Sequence, residues 1–508
     1  MGLFAHNSLN QEGFMSQRSV PALARLACFA LAATVTNVSS GSAQDRGAAG
    51  LVKVPVTTAS EEARQEYLKG RTLGENLRAH DSREVLQRAV AKDPNFALAH
   101  YSLALNSPTA KEFFDHLRQA VKLSAKASEG ERLMILGLEA GSNANPEKQR
   151  EYYERLVEIF PGDERAHFLL GNNYFGQQDY PRTLREYQSS VEIAPDFAPA
   201  YNLLGYAYRQ VGRFDDAEQA FKRYIELIPN DPNPYDSYAE LLMKMGRFDE
   251  SIAMYRKALA TDQQFSPSYI GIASNLMYQG KHEAARQEAW KLHEAARNDA
   301  DRRNALFATA VAYADEGKFE EAVAELKKEQ AIAAKINDAA NMAADAVAMG
   351  DVLLEAGKPA KAAALYDEAL SMLQRSDLSA EVKENARLVH EFNLGRVAVR
   401  SQELSAARQH ADAFMRGATA KKNSGQIRQA HDLAGTIALK EKQFDQALAH
   451  FSKANQQDPY VLYRMGKAYK GSGNEAKAKE MFRQATNHNT LPTLNHAFVR
   501  AKAKKTKA

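Results

Sequence analysis

Several residues stand close to spacings that perform chemistry. His282-Glu283 and His293-Glu294 each begin the helical pattern in which two histidines, four residues apart, hold one zinc ion while the glutamate acts as base. The second imidazole is indispensable for chelation, and Arg286 and Arg297 occupy its place. Gly466-Lys467 lacks the upstream glycine of a phosphate-cradling loop, and Gly471-Ser472-Gly473 reads as a turn between helices. Cys28 is the single cysteine, so a multi-cysteine metal site or a disulfide framework is excluded. His100 and His167 read as packed, hydrogen-bonded rings. Met243, Met245, Met254 and Met277 read as gap-fillers, and Trp290 as a side chain packed on the next helix pair. No catalytic, cofactor or metal site is expected, and the chain reads as non-enzymatic.

The elements that would carry such residues are bounded by composition. The chain has 508 residues, 44% hydrophobic and 25% charged, which places it among globular proteins and excludes wholesale disorder. That length leaves room for roughly three ordinary domains. Gly 28 and Pro 16 are too few for a turn-rich β protein. A net charge of +3 makes no electrostatic case for nucleic acid. Residues 1–43 read as a secretion signal: Arg18 and Arg25, then the apolar run Leu26 to Val38, then the small residues of Gly41-Ser42-Ala43. Cleavage after Ala43 would remove Cys28 and leave a charge of +2. The start is Met1 or Met15. No later segment is long and apolar enough to span a bilayer. The expected product is periplasmic or secreted.

Internal periodicity is the strongest signal. Pro161, Pro195 and Pro229 are spaced by 34 residues. After Pro161 come His167, Leu170-Gly171, Tyr174, Thr183, Tyr187 and Ser190. After Pro195 come Tyr201, Leu204-Gly205, Tyr208, Ala217, Phe221 and Tyr224. After Pro229 come Tyr235, Tyr238-Ala239, Leu242, Ser251, Tyr255 and Ala258. Large apolar residues three and four apart make a helical stripe, and the small residue beside it lets a second helix approach. Gly212 and Gly246 fit a left-handed turn between the two helices, and each proline closes the second. The pattern resembles the tetratricopeptide repeat. That resemblance implies an all-α fold: an α-solenoid, a right-handed superhelix of stacked antiparallel helix pairs. About twelve units are expected. Residues 44–62 read as a flexible lead, 63–293 as repeats of about 34 residues, 294–490 as repeats that lengthen in the middle, and 491–508 as a capping helix with a basic, solvated tail.

The resemblance also implies where a ligand would sit. In the family, the first helices of successive units line a concave groove that takes partner peptides or helices. The inward repeat positions here give Arg165, Phe168, Asn172 and Phe175, then Asn202, Tyr206 and Arg209, then Asp236, Glu240 and Lys244. These side chains are expected to be free of core packing. Chaperone-binding relatives clamp a terminal carboxylate with Lys and Asn at fixed positions. Asn172 matches one of them, but Phe168 and Leu203 break the rest. The expectation is therefore a scaffold that binds a protein or peptide partner in its groove, with no nucleic-acid partner and no membrane span. The alternative is an accessory protein of envelope polysaccharide or lipid handling, whose groove would carry repeating aromatic residues. Of these only Phe168, Phe175 and Tyr206 are present. The partner and the oligomeric state are not written in the sequence.

Overall fold

The computed structural model describes residues 52–507, so the expected signal segment and most of the lead lie outside the described residues. Within the described residues the chain forms 25 helices and no strand. It is an all-α solenoid of helix pairs. The chain divides into two compact units, one ending at Leu241 and one beginning at Leu242.

In the first unit the helices are α1 (Glu61–Glu75), α2 (Ala79–Lys92), α3 (Ala97–Leu105), α4 (Ala110–Leu123), α5 (Glu129–Ser142), α6 (Pro146–Ile159), α7 (Glu164–Gly176), α8 (Tyr180–Ile193), α9 (Ala198–Gln210), α10 (Phe214–Leu227) and most of α11 (Pro232–Lys244). From α1 to α10 each helix packs on the next, and the first helices of neighbouring pairs also touch, as α1 does α3 and α3 does α5. The pairs close where the sequence is small. A Cβ on Gly171 would lie 2.5 Å from the Tyr187 ring, and one on Gly205 would lie 2.6 Å from Phe221. Those two rings are fully buried, and each contributes about 1.5–3 kcal/mol by leaving water. Asp163 and Asp179 start α7 and α8 by accepting backbone N–H bonds. Gly212 ends α9 at φ +76°.

The second unit holds the remainder of α11, then α12 (Phe248–Thr261), α13 (Ser266–Tyr278), α14 (His282–Ala295), α15 (Asp299–Glu316), α16 (Phe319–Lys335), α17 (Ala339–Glu355), α18 (Pro359–Arg375), α19 (Ala380–Arg400), α20 (Leu404–Ala420), α21 (Ser424–Lys440), α22 (Phe444–Phe451), α23 (Pro459–Gly471), α24 (Glu475–Thr486) and α25 (Leu494–Lys507). The helices from α15 to α21 run 17 to 21 residues, longer than those on either side. First helices again touch along one face: α13 with α15, α19 with α21, and α21 with α23. Buried ion pairs cross the stack. Arg303 of α15 reaches both oxygens of Asp345 in α17, at 2.7 and 3.1 Å. The surrounding carboxylates hold the Arg303 guanidinium above its ordinary pKa in spite of its burial.

Three details differ from the sequence reading. The described part of the lead, 52–60, is held rather than loose. The Val54 N–H donates to Asp163 at 2.9 Å, Thr57 N–H to Glu131 at 2.7 Å, and Ala59 N–H to Asp93 at 3.2 Å. Carboxylates at the ends of helices accept these bonds because each has an oxygen to spare after capping. Trp290 is 53% exposed and stacks flat on His293 of its own helix, with ring centroids 4.6 Å apart. Its register places it on the outer face of α14, away from the neighbouring pair. Met245 is likewise exposed rather than a gap-filler.

Candidate functional site on the inner helix faces

The ten nominated side chains sit on α7, α9 and α11, the first helices of three consecutive pairs. Most of them do core work, contrary to the expectation that they are free. Phe168, Phe175, Asn202, Tyr206, Arg209, Asp236 and Glu240 are buried, and Arg165, Asn172 and Lys244 are partly so. Phe168 packs edge-on to Phe197, with centroids 5.5 Å apart, and Phe175 packs edge-on to Tyr180 at 5.9 Å. Asn172 accepts a bond from the Tyr187 hydroxyl at 2.7 Å. The physical reason is distance: the second helix of the same pair and the start of the next pair both lie within reach of these inward side chains.

The tightest example joins α9 to α11. The Tyr206 hydroxyl donates to Glu240 at 2.9 Å, and Arg209 donates to the other Glu240 oxygen at 3.1 Å. The Arg209 guanidinium also lies 4.6 Å from the Tyr206 ring centre. Burial, and then the Glu240 charge, push the Tyr206 hydroxyl well above its ordinary pKa, so it stays a donor. This is a rigid, neutralised knot with no reactive group. On α7, Arg165 pairs with Glu164, and its guanidinium stands 5.5 Å from the Phe197 ring. Two Arg165 nitrogens and Arg209 Nε are buried without a hydrogen-bond partner.

The inner face of the second unit holds a further set of side chains, apart from the ten on α7, α9 and α11. There the chain supplies its own occupant. Helix α25 lies against α15, α17 and α23 as well as α24. Leu494, Ala497, Phe498 and Val499 are buried on it, and Phe498 meets the Phe319 ring at 6.3 Å. Arg500 donates to the Tyr278 carbonyl at 2.7 Å and covers that ring at 4.2 Å. Lys502 pairs with Glu355 and hydrogen-bonds the Tyr460 hydroxyl. The expected basic tail is therefore split. Arg500 and Lys502 are docked, whereas Lys504 and Lys505 are exposed. The Leu494–Phe498 spacing signalled an amphipathic helix, but nothing in it pointed back to Tyr278, 222 residues away from Arg500.

The residues of the broken zinc pattern serve as struts. His282 bonds Asp315 at 2.8 Å, and Arg286 bonds Glu316 at 2.6 Å, both across α14 and α15. His100 bonds the Pro94 carbonyl at 3.2 Å, and His167 bonds Glu186 at 2.8 Å and the Pro161 carbonyl at 3.0 Å. Among the described residues no three His, Cys, Asp or Glu side chains converge as a metal site, and no helix is long and apolar enough to cross a membrane.

Sequence models of the tetratricopeptide repeat match residues 198–231, 233–265 and 459–487. Those three segments carry the tetratricopeptide repeat. No curated protein sequence matches it. Among solved structures it is similar to the Cut9–Hcn1 hetero-tetramer of the APC/C, at 16% identity over 83% of this chain and 76% of that chain, with a TM-score of 0.38. It is also similar to YrrB, described as a TPR protein with an unusual peptide-binding site, at 17% identity over 36% of this chain and 93% of that one, TM-score 0.25. A thermophilic TPR protein of Thermus thermophilus aligns at 21% identity over 42% of this chain and 99% of that one, TM-score 0.28.

Proposed function

We propose that the protein is an exported, non-enzymatic scaffold whose inner helix faces hold a helical segment of a partner protein. One observation carries this reading: the inner face of the second unit already accepts an amphipathic helix, its own α25, through apolar contacts and charge-assisted bonds. A surface that packs one such helix has the chemistry to pack another. The polysaccharide or lipid alternative has no comparable support, because Phe168, Phe175 and Tyr206 are consumed in helix packing.

The test is affinity capture with the mature chain, residues 44–508, from the extracytoplasmic fraction. A specific protein partner is expected, and an excess of a synthetic peptide of residues 491–508 should displace it if the partner uses a helix-accepting face. Failure to recover any saturable partner would overturn the scaffold reading. The export component has its own measurement. Mass spectrometry of the N-terminus should find Gln44 first, and an intact 1–43 segment on cytoplasmic protein would refute export.

A further inference from the structure

Beneath α25 the second unit keeps a cavity of about 540 Å³. Its walls come from the inner faces of α17, α19, α21 and α23, and α25 closes one side with Phe498 and Lys502. Phe392, Phe444, Tyr460 and Tyr463 supply an aromatic lining. The volume lies within the 300–1,000 Å³ range of small-molecule sites, and an apolar lining with a few polar groups is their usual make-up.

The charges are unevenly matched. Three carboxylates line the cavity, and each is already engaged. Asp351 holds Arg396 at 2.6 Å, Asp432 holds Arg464 at 2.7 Å, and Glu355 holds Lys502. Arg400, Lys440, Lys442 and Lys467 also line it, and none of them makes an ion pair with a described residue. All four keep part of their surface exposed to solvent. They leave the cavity, with its aromatic lining, an excess of unpaired positive charge. The Lys467 amine feels that field. Desolvation by the surrounding walls, and then Lys440, Lys502 and Arg464, hold it below the ordinary lysine pKa. An anion placed among these groups would relieve the repulsion.

We infer that this cavity binds a small organic anion, with an aromatic or aliphatic body against Phe392, Tyr460 and Tyr463 and an acidic head among Arg400, Lys440 and Lys467. A free molecule fits better than a helical segment of a partner, because about 540 Å³ is too small for a helix about 10–12 Å across. This site is separate from partner capture and stands or falls independently of it.

The probe is 8-anilinonaphthalene-1-sulfonate, an aromatic body with one fixed negative charge, titrated into the mature chain by fluorescence and calorimetry. One site per chain is expected, with affinity that falls as salt is raised. The variant Arg400→Gln/Lys440→Gln/Lys467→Gln should bind about tenfold more weakly, while the uncharged N-phenyl-1-naphthylamine binds both proteins alike. These residues are exposed and unpaired, so the circular dichroism spectrum should be unchanged. If the triple variant does lose helical signal, Lys440→Gln and Lys467→Gln are measured singly against the same expectation of weakened binding. Equal affinity in wild type and variants, or several equivalent sites per chain, would overturn the inference.

Discussion

Gly205 stands where any other residue would collide with its neighbour. A Cβ there would lie 2.6 Å from two atoms of the Phe221 ring, and that ring is fully buried with no room to retreat. Gly205→Val should therefore destabilise the first unit by about 1–3 kcal/mol through overpacking, read as a lower urea midpoint with an unchanged slope. Buried histidines set a pH dependence at the same scale. Burial, and then Lys244 and Arg500, push His496 down to about 3; burial, His100 and Arg83 push His116 down to about 4. In the unfolded chain both rings take up protons below about pH 6.5. The unfolded state thus binds more protons between those limits, so stability rises with pH there. It is fully present above 6.5 and is lost as the pH falls toward 3 to 4. Asp458 acts in the opposite sense. Burial and the Asp432 charge raise it to about 6, so its contribution is lost as the pH climbs through that value. His496→Gln should flatten the acid side of a plot of Tm against pH, and an unchanged acid limb would contradict the assignment. The small residues were legible in the sequence because steric exclusion is local. The inward charged residues were not. Whether Arg209 faces a partner or Glu240 depends on the register of the neighbouring helix, which residue types alone do not reveal.

At the scale of elements, α25 carries the clearest consequence. Its apolar stripe was readable from Leu494 and Phe498, whereas its destination was not, because it docks on helices far away in sequence. Phe498 is 4% exposed and packs on α16 through Phe319. Phe498→Asp should release the helix at a cost of about 3–5 kcal/mol. Hydrogen exchange should then accelerate in α25, on the inner faces of α15 and α17 and at the Tyr278 end of α13, while α20 is unaffected. Uniform acceleration throughout the second unit would mean that α25 is structurally essential rather than docked. The shortened α3 is only nine residues long. There the pair is nevertheless formed, because Phe113, Leu117 and Ala120 give α4 its own buried stripe.

For the molecule as a whole, the allowance of three domains gives way to repeated pairs whose energies are terms between neighbours. The two compact units have separate cores, the first built around Tyr67, Phe113 and Tyr153, and the second around smaller clusters such as that of Leu354 and Tyr366. Urea unfolding followed by pulsed hydrogen exchange should therefore show the units losing protection at different urea concentrations. One coincident transition for all helices would refute that. The lead supplies a mechanical consequence. Within six residues, Val54 to Ala59, it is fastened to Asp163, Glu131 and Asp93, which belong to three successive turns of the stack. A solenoid is a spring, compliant because each coil holds only its neighbours. A thread of six residues tied across three coils clasps them together, so this end of the first unit resists being pulled open.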